Sequence, residues 1–236
     1  MPYFDTHIHL QDFEQDIFSV LKKIQKCICV SAKVSDWEKV AQIYEQYPDM
    51  IVPAFGLHPW YINNTAKNWE QELETYLKKY PLAMVGECGL DRLKSKDEQA
   101  QKDVLIKQIN LAKKYNRTML LHMVKADMWL QDIWELLPQK FVFHSFNANT
   151  DLLKKVLQFG GYVAFNKKIL KNKQANEIVS LVPSDKILIE SDAPYQSSVD
   201  DMIELTTTLA DIRKEKLEVL LQHLYNNASE LMKNDK

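Results

Sequence analysis

Two imidazoles two residues apart, His7 and His9, close the stretch Pro2-Tyr3-Phe4-Asp5-Thr6-His7-Ile8-His9 near the start of this 236-residue chain. On an extended strand, residues i and i+2 project from the same side. Both rings can therefore reach one metal ion. A single His-x-His pair arises readily by chance, and it gains force only if further histidines and carboxylates close other strands. The chain has six histidines, and five of them sit where an apolar, β-rich run ends. His58 stands in Gly56-Leu57-His58-Pro59-Trp60, and His122 and His144 each end a run of their own. Carboxylates occupy the same kind of position. Glu87 and Asp91 lie in Gly86-Glu87-Cys88-Gly89-Leu90-Asp91, and Asp192 in Glu190-Ser191-Asp192.

His7, His9, His122, His144, Glu87 and Asp192 together offer four imidazoles and two carboxylates, enough for two divalent ions with positions left open for water and substrate. Mixed nitrogen and oxygen donors suit Zn²⁺, Mn²⁺ or, more weakly, Mg²⁺. A carboxylate can bridge two ions, and Glu87 is the better placed, in the middle of the strand order. Two adjacent ions can clamp the attacking and leaving oxygens of a hydrolytic displacement and acidify a bound water. Asp192 is then both a ligand and the group that orients or deprotonates that water. Asp192 and Glu87 are the expected catalytic carboxylates.

These side chains need a scaffold that gathers strand ends. Apolar runs predict strands at 3–9, 26–31, 50–56, 82–88, 118–123, 141–146, 161–166 and 186–191. Their starts recur about every 26 residues, the length of one βα unit. Helical patterns fill the gaps, among them 97–115 and 126–137. In the first, Val104, Leu105, Ile109, Leu111 and Ala112 form a buried stripe. Ser35, Thr150 and Ser184 stand where N-caps or turn residues are needed. Strands apolar on both faces, such as Met119-Leu120-Leu121, suit a parallel sheet covered by helices. Eight alternating units predict a single-domain (β/α)₈ TIM barrel over 1–236, whose catalytic residues lie at the C-terminal strand ends. The tail from about Arg213 reads as one or two extra helices, ending in a polar Lys233-Asn234-Asp235-Lys236. An open doubly wound sheet is the competing fold. Against it, no Gly-x-Gly-x-x-Gly turn follows any strand and the chain has only five glycines.

Composition agrees with one globular domain: 46% of residues are apolar and 26% charged. Three cysteines, Cys27, Cys29 and Cys88, lack a disulfide framework and suit a reducing compartment. No signal-peptide pattern precedes the first strand, and no apolar run approaches the roughly 20 residues of a membrane span. A cytoplasmic monomer that does not enter membranes is expected. The net charge of −2 means that any nucleic-acid binding must come from local charge.

The motifs Asp5-Thr6-His7-Ile8-His9-Leu10, Gly56-Leu57-His58-Pro59, Gly86-Glu87-Cys88-Gly89-Leu90-Asp91, His144-Ser145-Phe146 and Glu190-Ser191-Asp192-Ala193-Pro194-Tyr195 resemble those of the TatD family of metal-dependent hydrolases, within the amidohydrolase-like barrels. They appear in family order across residues 5 to 195. The resemblance implies a TIM barrel, a two-metal site held by His7, His9, Glu87, His122, His144 and Asp192 with Glu87 bridging, and nuclease activity on DNA, often as a 3′→5′ exonuclease. The chain departs from the family pattern after His122, where Met123-Val124-Lys125-Ala126 replaces an Arg and an acidic residue, and after Asp91, where Arg92 and Leu93 follow. These changes bear on substrate recognition rather than on the metal set.

His58 reads either as a contact to the ligands or a substrate phosphate, or as a turn histidine. Asp91 reads either as the partner that fixes a ligand histidine's tautomer or as a cap on the next segment. Tyr195 either lines the site or packs beneath a loop, and Trp60 stands at the same mouth. Cys88 alternates with Glu87 and reads as a core thiol; Trp129 and Trp134 read as core and His223 as a surface or packing residue. A basic rim is expected from Arg92, Lys94 and Lys96 after strand 4, Lys125 after strand 5, and Lys167, Lys168, Lys171 and Lys173 after strand 7. Such a rim would hold phosphates locally. DNA or another phosphodiester is thus the leading substrate class. Small amides, lactones or esters on the same barrel are the alternative.

Overall fold

The computed structural model describes residues 3–14 and 16–233. Pro2 of the opening stretch and residues 234–236 of the polar tail lie outside them. All eight expected strands form: β1 (Phe4–Ile8), β2 (Lys26–Val30), β3 (Ile51–Phe55), β4 (Met84–Asp91), β5 (Met119–Val124), β6 (Phe141–Phe143), β7 (Tyr162–Phe165) and β8 (Ile187–Ile189). They make one parallel sheet in sequence order. The ends of the sheet meet just past β8. There the Asp192 N–H donates to the His7 carbonyl at 2.8 Å and the His9 N–H to the Ala193 carbonyl at 2.9 Å. The result is a nearly closed (β/α)₈ barrel.

The helices are α1 (Ile17–Leu21), α2 (Trp37–Gln46), α3 (Trp69–Lys79), α4 (Glu98–Lys114), α5 (Thr150–Gln158), α6 (Ala175–Leu181), α7 (Asp201–Arg213) and α8 (Leu217–Glu230). The expected stripe of α4 is present, with Leu105, Ile109, Leu111 and Ala112 buried and Val104 packed at its edge. Arg213 ends α7, which belongs to the eighth unit, so α8 is the one added helix among the described residues. Asn149 rather than Thr150 caps α5, accepting the Leu152 N–H at 2.9 Å. Ser35 lies inside a short 3₁₀ turn, and Ser184 accepts a hydrogen bond from Arg213 in the turn before β8.

The helix expected over 126–137 does not form. Two 3₁₀ turns, Asp127–Leu130 and Trp134–Leu136, take its place. A 3₁₀ turn rises about 2.0 Å per residue against 1.5 Å in an α-helix, so this short crossover spans more of the barrel. Pro138 also pushes Leu137 into extended backbone. Trp134 is buried and stacks on Phe143 and Phe159, whereas Trp129 is only partly buried.

Side-chain alternation divides the core into two layers. Phe4, Ile28, Val30, Val52, Ala54, Met84, Leu120, Val142, Tyr162, Ala164 and Leu188 pack together and fill the lumen, with Ala228 and Leu231 joining them at its lower end. The opposite parity packs under the helices. Strict alternation from Phe4 would turn His7 outward, and from Met84 would turn Glu87 outward. The pairing register shifts between Asp5 and Ile8 in β1 and between Val85 and Cys88 in β4. Irregularities of this kind re-aim side chains near functional sites. Here they turn His7 and Glu87 into the mouth and leave Cys88 in the outer core.

Gly89 is the clearest backbone requirement. Its φ is +146°, and a Cβ there would lie 1.9 Å from the His122 carbonyl oxygen. Only glycine lets β4 approach β5 this closely beside His122.

Candidate active site

The strand ends converge on Glu87. Its Oε2 lies 3.5 Å from His7 Nε2 and 3.6 Å from His9 Nε2. The two imidazole nitrogens are 3.3 Å apart, and Asp192 Oδ1 is 3.4 Å from His9 Nε2 and 4.0 Å from His7 Nε2. The other oxygen, Oε1, lies 2.8 Å from both His122 Nδ1 and His144 Nε2, and 3.4 Å from His58 Nε2. All seven side chains are buried. His223, on α8, is remote from them.

This donor set fits divalent metal. Ligand atoms about 2.0–2.2 Å from one tetrahedral ion lie about 3.3–3.6 Å from each other, close to the spacing of the His7, His9, Glu87 and Asp192 atoms. His7, His9 and Glu87 form one group able to hold an ion, and His58, Glu87 and His122 another.

Further residues fix the rings. Asp91 touches both a ring of the site and the segment that follows it. Its Oδ2 lies 3.1 Å from His122 Nε2 and accepts the Trp60 indole N–H at 2.7 Å, while Oδ1 accepts the Leu93 and Lys94 amides. On the far side, His144 Nδ1 is 3.3 Å from Glu190 Oε1, which also accepts the Ser145 N–H at 2.7 Å. Glu190 has no role in the sequence pattern of ligands; its signal is a carboxylate two residues before Asp192, on the lumen parity set by Leu188. Asp5 is a second carboxylate of this kind. It accepts the backbone N–H groups of His7 and Ser191 and the Ser191 hydroxyl at 2.5 Å, tying β1 to the end of β8 and so His7 to Asp192.

Electrostatics follow from crowding charges out of water. Burial opposes ionisation of Glu87, but His144, His58 and the hydrogen bonds from His122 and His144 outweigh it and hold the carboxyl well below the usual range. Burial likewise opposes ionisation of Asp192, and the His9 hydrogen bond with the charges of His7 and His144 reverses that. His7 is pushed down to about 4, first by burial and then by His144. Burial raises Glu190 to about 7 and Asp5 to about 6.

Asp192 has φ +53°, a left-handed conformation that Asp tolerates better than most residues. It directs the carboxylate inward while its N–H stays on His7. Tyr195 is exposed, sets its ring edge-on to His9 with centroids 5.2 Å apart, and donates its hydroxyl to Asp12 at 3.0 Å.

A cleft of about 520 Å³ leads outward from His122 and His144 between the loops after β5, β6 and β7, and both Lys125 and Lys168 line it. Neither lysine has an ion pair among the described residues. The remainder of the expected rim does not assemble. Lys167 is neutralised by Asp201 at 2.8 Å and Glu204 at 2.7 Å; both acids sit on α7, which chain distance hid. Arg92, Lys96, Lys171 and Lys173 are exposed away from the cleft wall, and Lys94 lies over the Trp60 ring.

A barrel with histidines and carboxylates at its strand ends is shared by several hydrolase families, so the full chain pattern decides. Residues 4–233 match the family model described as TatD related DNase. The chain belongs to that family. It is a metal-dependent hydrolase. Among TatD relatives, human "Deoxyribonuclease TATDN3" is 29% identical over 213 residues, covering 80% of this chain and 77% of that protein. The "3'-5' ssDNA/RNA exonuclease TatD" of Edwardsiella piscicida is 26% identical over 175 residues, covering 71% and 67%. The crystal structure of the TatD homologue YJJV from Escherichia coli K12 superposes with a TM-score of 0.89 over 98% of this chain and 97% of that one, at 24% identity, and shares the fold. No helix among the described residues is long and apolar enough to cross a membrane.

Proposed function

We propose that this TatD-family hydrolase is a single-domain, two-metal phosphodiesterase that cleaves DNA, trimming single strands from the 3′ end. The observation that carries the reading is the division of Glu87: one oxygen faces His7 and His9, the other His58, His122 and His144. A carboxylate placed between two nitrogen clusters is the arrangement a bridged pair of ions requires. The names of the human and Edwardsiella relatives, a deoxyribonuclease and a single-stranded DNA/RNA exonuclease, support DNA as the substrate.

In this reading His7, His9 and Asp192 would hold one ion and His122 and His144 the other, with Glu87 offering an oxygen to each. Zn²⁺, Mn²⁺ and Mg²⁺ all suit the donors. The ions would supply Lewis-acid activation of water and of the phosphoryl oxygen. Asp192, ionised at neutral pH, accepts the proton of the attacking water. Asp91 accepts the outward N–H of His122 and so presents the other nitrogen of that ring to the site, and Glu190 Oε1 stands 3.3 Å behind the outward nitrogen of His144. His58 adds a nitrogen beside Glu87 Oε1 and faces the substrate phosphate. Lys125 and Lys168 neutralise phosphates along the cleft, and Tyr195 borders the mouth beside His9. The three cysteines are free and buried, in keeping with a reducing compartment such as the cytoplasm.

The test is hydrolysis by the metal-replete protein of single-stranded DNA labelled at either end, alongside a panel of amides, lactones and esters. Shortening from the 3′ end, abolished by chelation, is expected. Intact DNA together with opened amides or lactones overturns the reading in favour of an amidohydrolase-type activity.

A further inference from the structure

Trp60 is unusual among the aromatic residues of the mouth. Nearly half of it (46%) is exposed, yet it is fixed at two points. Its indole N–H donates to Asp91 Oδ2 at 2.7 Å and its backbone N–H to His58 Nδ1 at 3.1 Å. Its ring meets His58 and His122 edge-on, with centroids 5.1 and 6.3 Å away. An exposed plane is thus held rigidly beside the Oε1 half of the site. Lys94 Nζ lies 4.5 Å from the ring centroid and has no carboxylate partner among the described residues. Its stem is flexible, so the ammonium can swing aside.

We infer that Trp60 is a stacking platform for a nucleobase next to the scissile phosphate, with Lys94 moving from the ring face to the neighbouring phosphate as the base takes its place. The inference rests on the phosphodiesterase reading and adds the group recognised. Every base has a π-face, so this contact tolerates sequence but demands a base, and a rigid aromatic already in position loses little freedom on binding. Paired bases are stacked in the duplex and do not present that face, so the platform selects unpaired ends.

The test compares two single-stranded oligonucleotides, one ordinary and one abasic at its last two 3′ nucleotides, cleaved by the Mn²⁺-replete enzyme. Wild type is expected to show a KM about tenfold or more higher for the abasic strand. Trp60→Ala should erase the difference, and Trp60→Phe, which keeps a ring but cannot bond Asp91, should retain most of it. A second readout needs no turnover: a 3′-terminal 2-aminopurine should be quenched on binding the Asp192→Asn protein and recover its emission when Trp60→Ala is added to that variant. Equal KM increases on both strands in Trp60→Ala, or no discrimination by wild type, would overturn the platform while leaving the nuclease reading intact. Cleavage and quenching of neither strand by wild type and Asp192→Asn would overturn both.

Discussion

His122 Nε2 lies 3.1 Å from Asp91 Oδ2, and that contact determines which ring nitrogen faces the site. With Nε2 on Asp91, Nδ1 is the nitrogen turned to Glu87 Oε1, 2.8 Å away, and it is the one that would offer its lone pair to a bound ion. The same Asp91 oxygen accepts the Trp60 indole, so one carboxylate couples a rim aromatic to a candidate ligand.

Asp91→Asn should weaken metal binding about 10–100-fold, because the amide oxygen lacks the charge that favours this tautomer and orientation. Competition with a chromophoric chelator measures it. Unchanged affinity would reduce Asp91 to a cap on the Leu93 and Lys94 amides.

Asp192→Asn should retain the fold and lose about 10²–10⁴-fold in turnover, the range for a positioned proton acceptor. Its backbone N–H still bonds His7, so the barrel seam survives. Circular dichroism and steady-state kinetics report the two effects separately. Wild-type turnover would remove Asp192 from the chemistry.

The two neighbouring lysines after β7 should behave differently. Exchanging Lys125 and Lys168 for Ala should lower the salt dependence of single-stranded DNA binding by about 0.7 in slope per lysine. Lys167→Ala should leave the slope unchanged, because Asp201 and Glu204 already neutralise that ammonium. Binding isotherms at several salt concentrations decide this, and a slope that follows Lys167 would restore the wider rim.

Stability should depend on pH through Glu74 on α3, whose carboxylate meets Lys114 at 2.6 Å and the Tyr115 hydroxyl at 2.5 Å at the end of α4. Those hydrogen bonds lower it to about 2, below the unfolded value of about 4.3. A depressed carboxylate stabilises the folded state in full above the unfolded value and loses that contribution as pH falls through the folded one. Glu74→Gln should therefore lower the melting temperature at pH 7 and have progressively less effect from about pH 4 toward pH 2. Thermal melts across that window measure it. A constant deficit down to pH 2 would rule out the ionic origin.

Much of the barrel is visible in local pattern. Each expected strand overlaps an observed one, because a buried parallel strand must be continuously apolar. The polar interruptions that closed those runs, His7, His9, Glu87, His122, His144 and Asp192, are the residues that meet. The segment over 126–137 shows the limit. Its apolar spacing fits a helix, but the distance it must cross and the proline that ends it are constraints of connection. Lys167 shows another limit, since its partners lie 34 and 37 residues later, on α7.

Residue type and spacing were therefore enough for the eight strands and for the set of side chains at their ends, since burial imposes an apolar period that can be read locally. The direction of two of those side chains was not. Alternation alone turns His7 and Glu87 away from the lumen, and register shifts against β2 and β5 turn them in. The same holds for Glu190 behind His144, Asp5 beneath His7 and the neutralised Lys167. Each depends on contacts between residues far apart in the chain, and those exist only once the barrel closes.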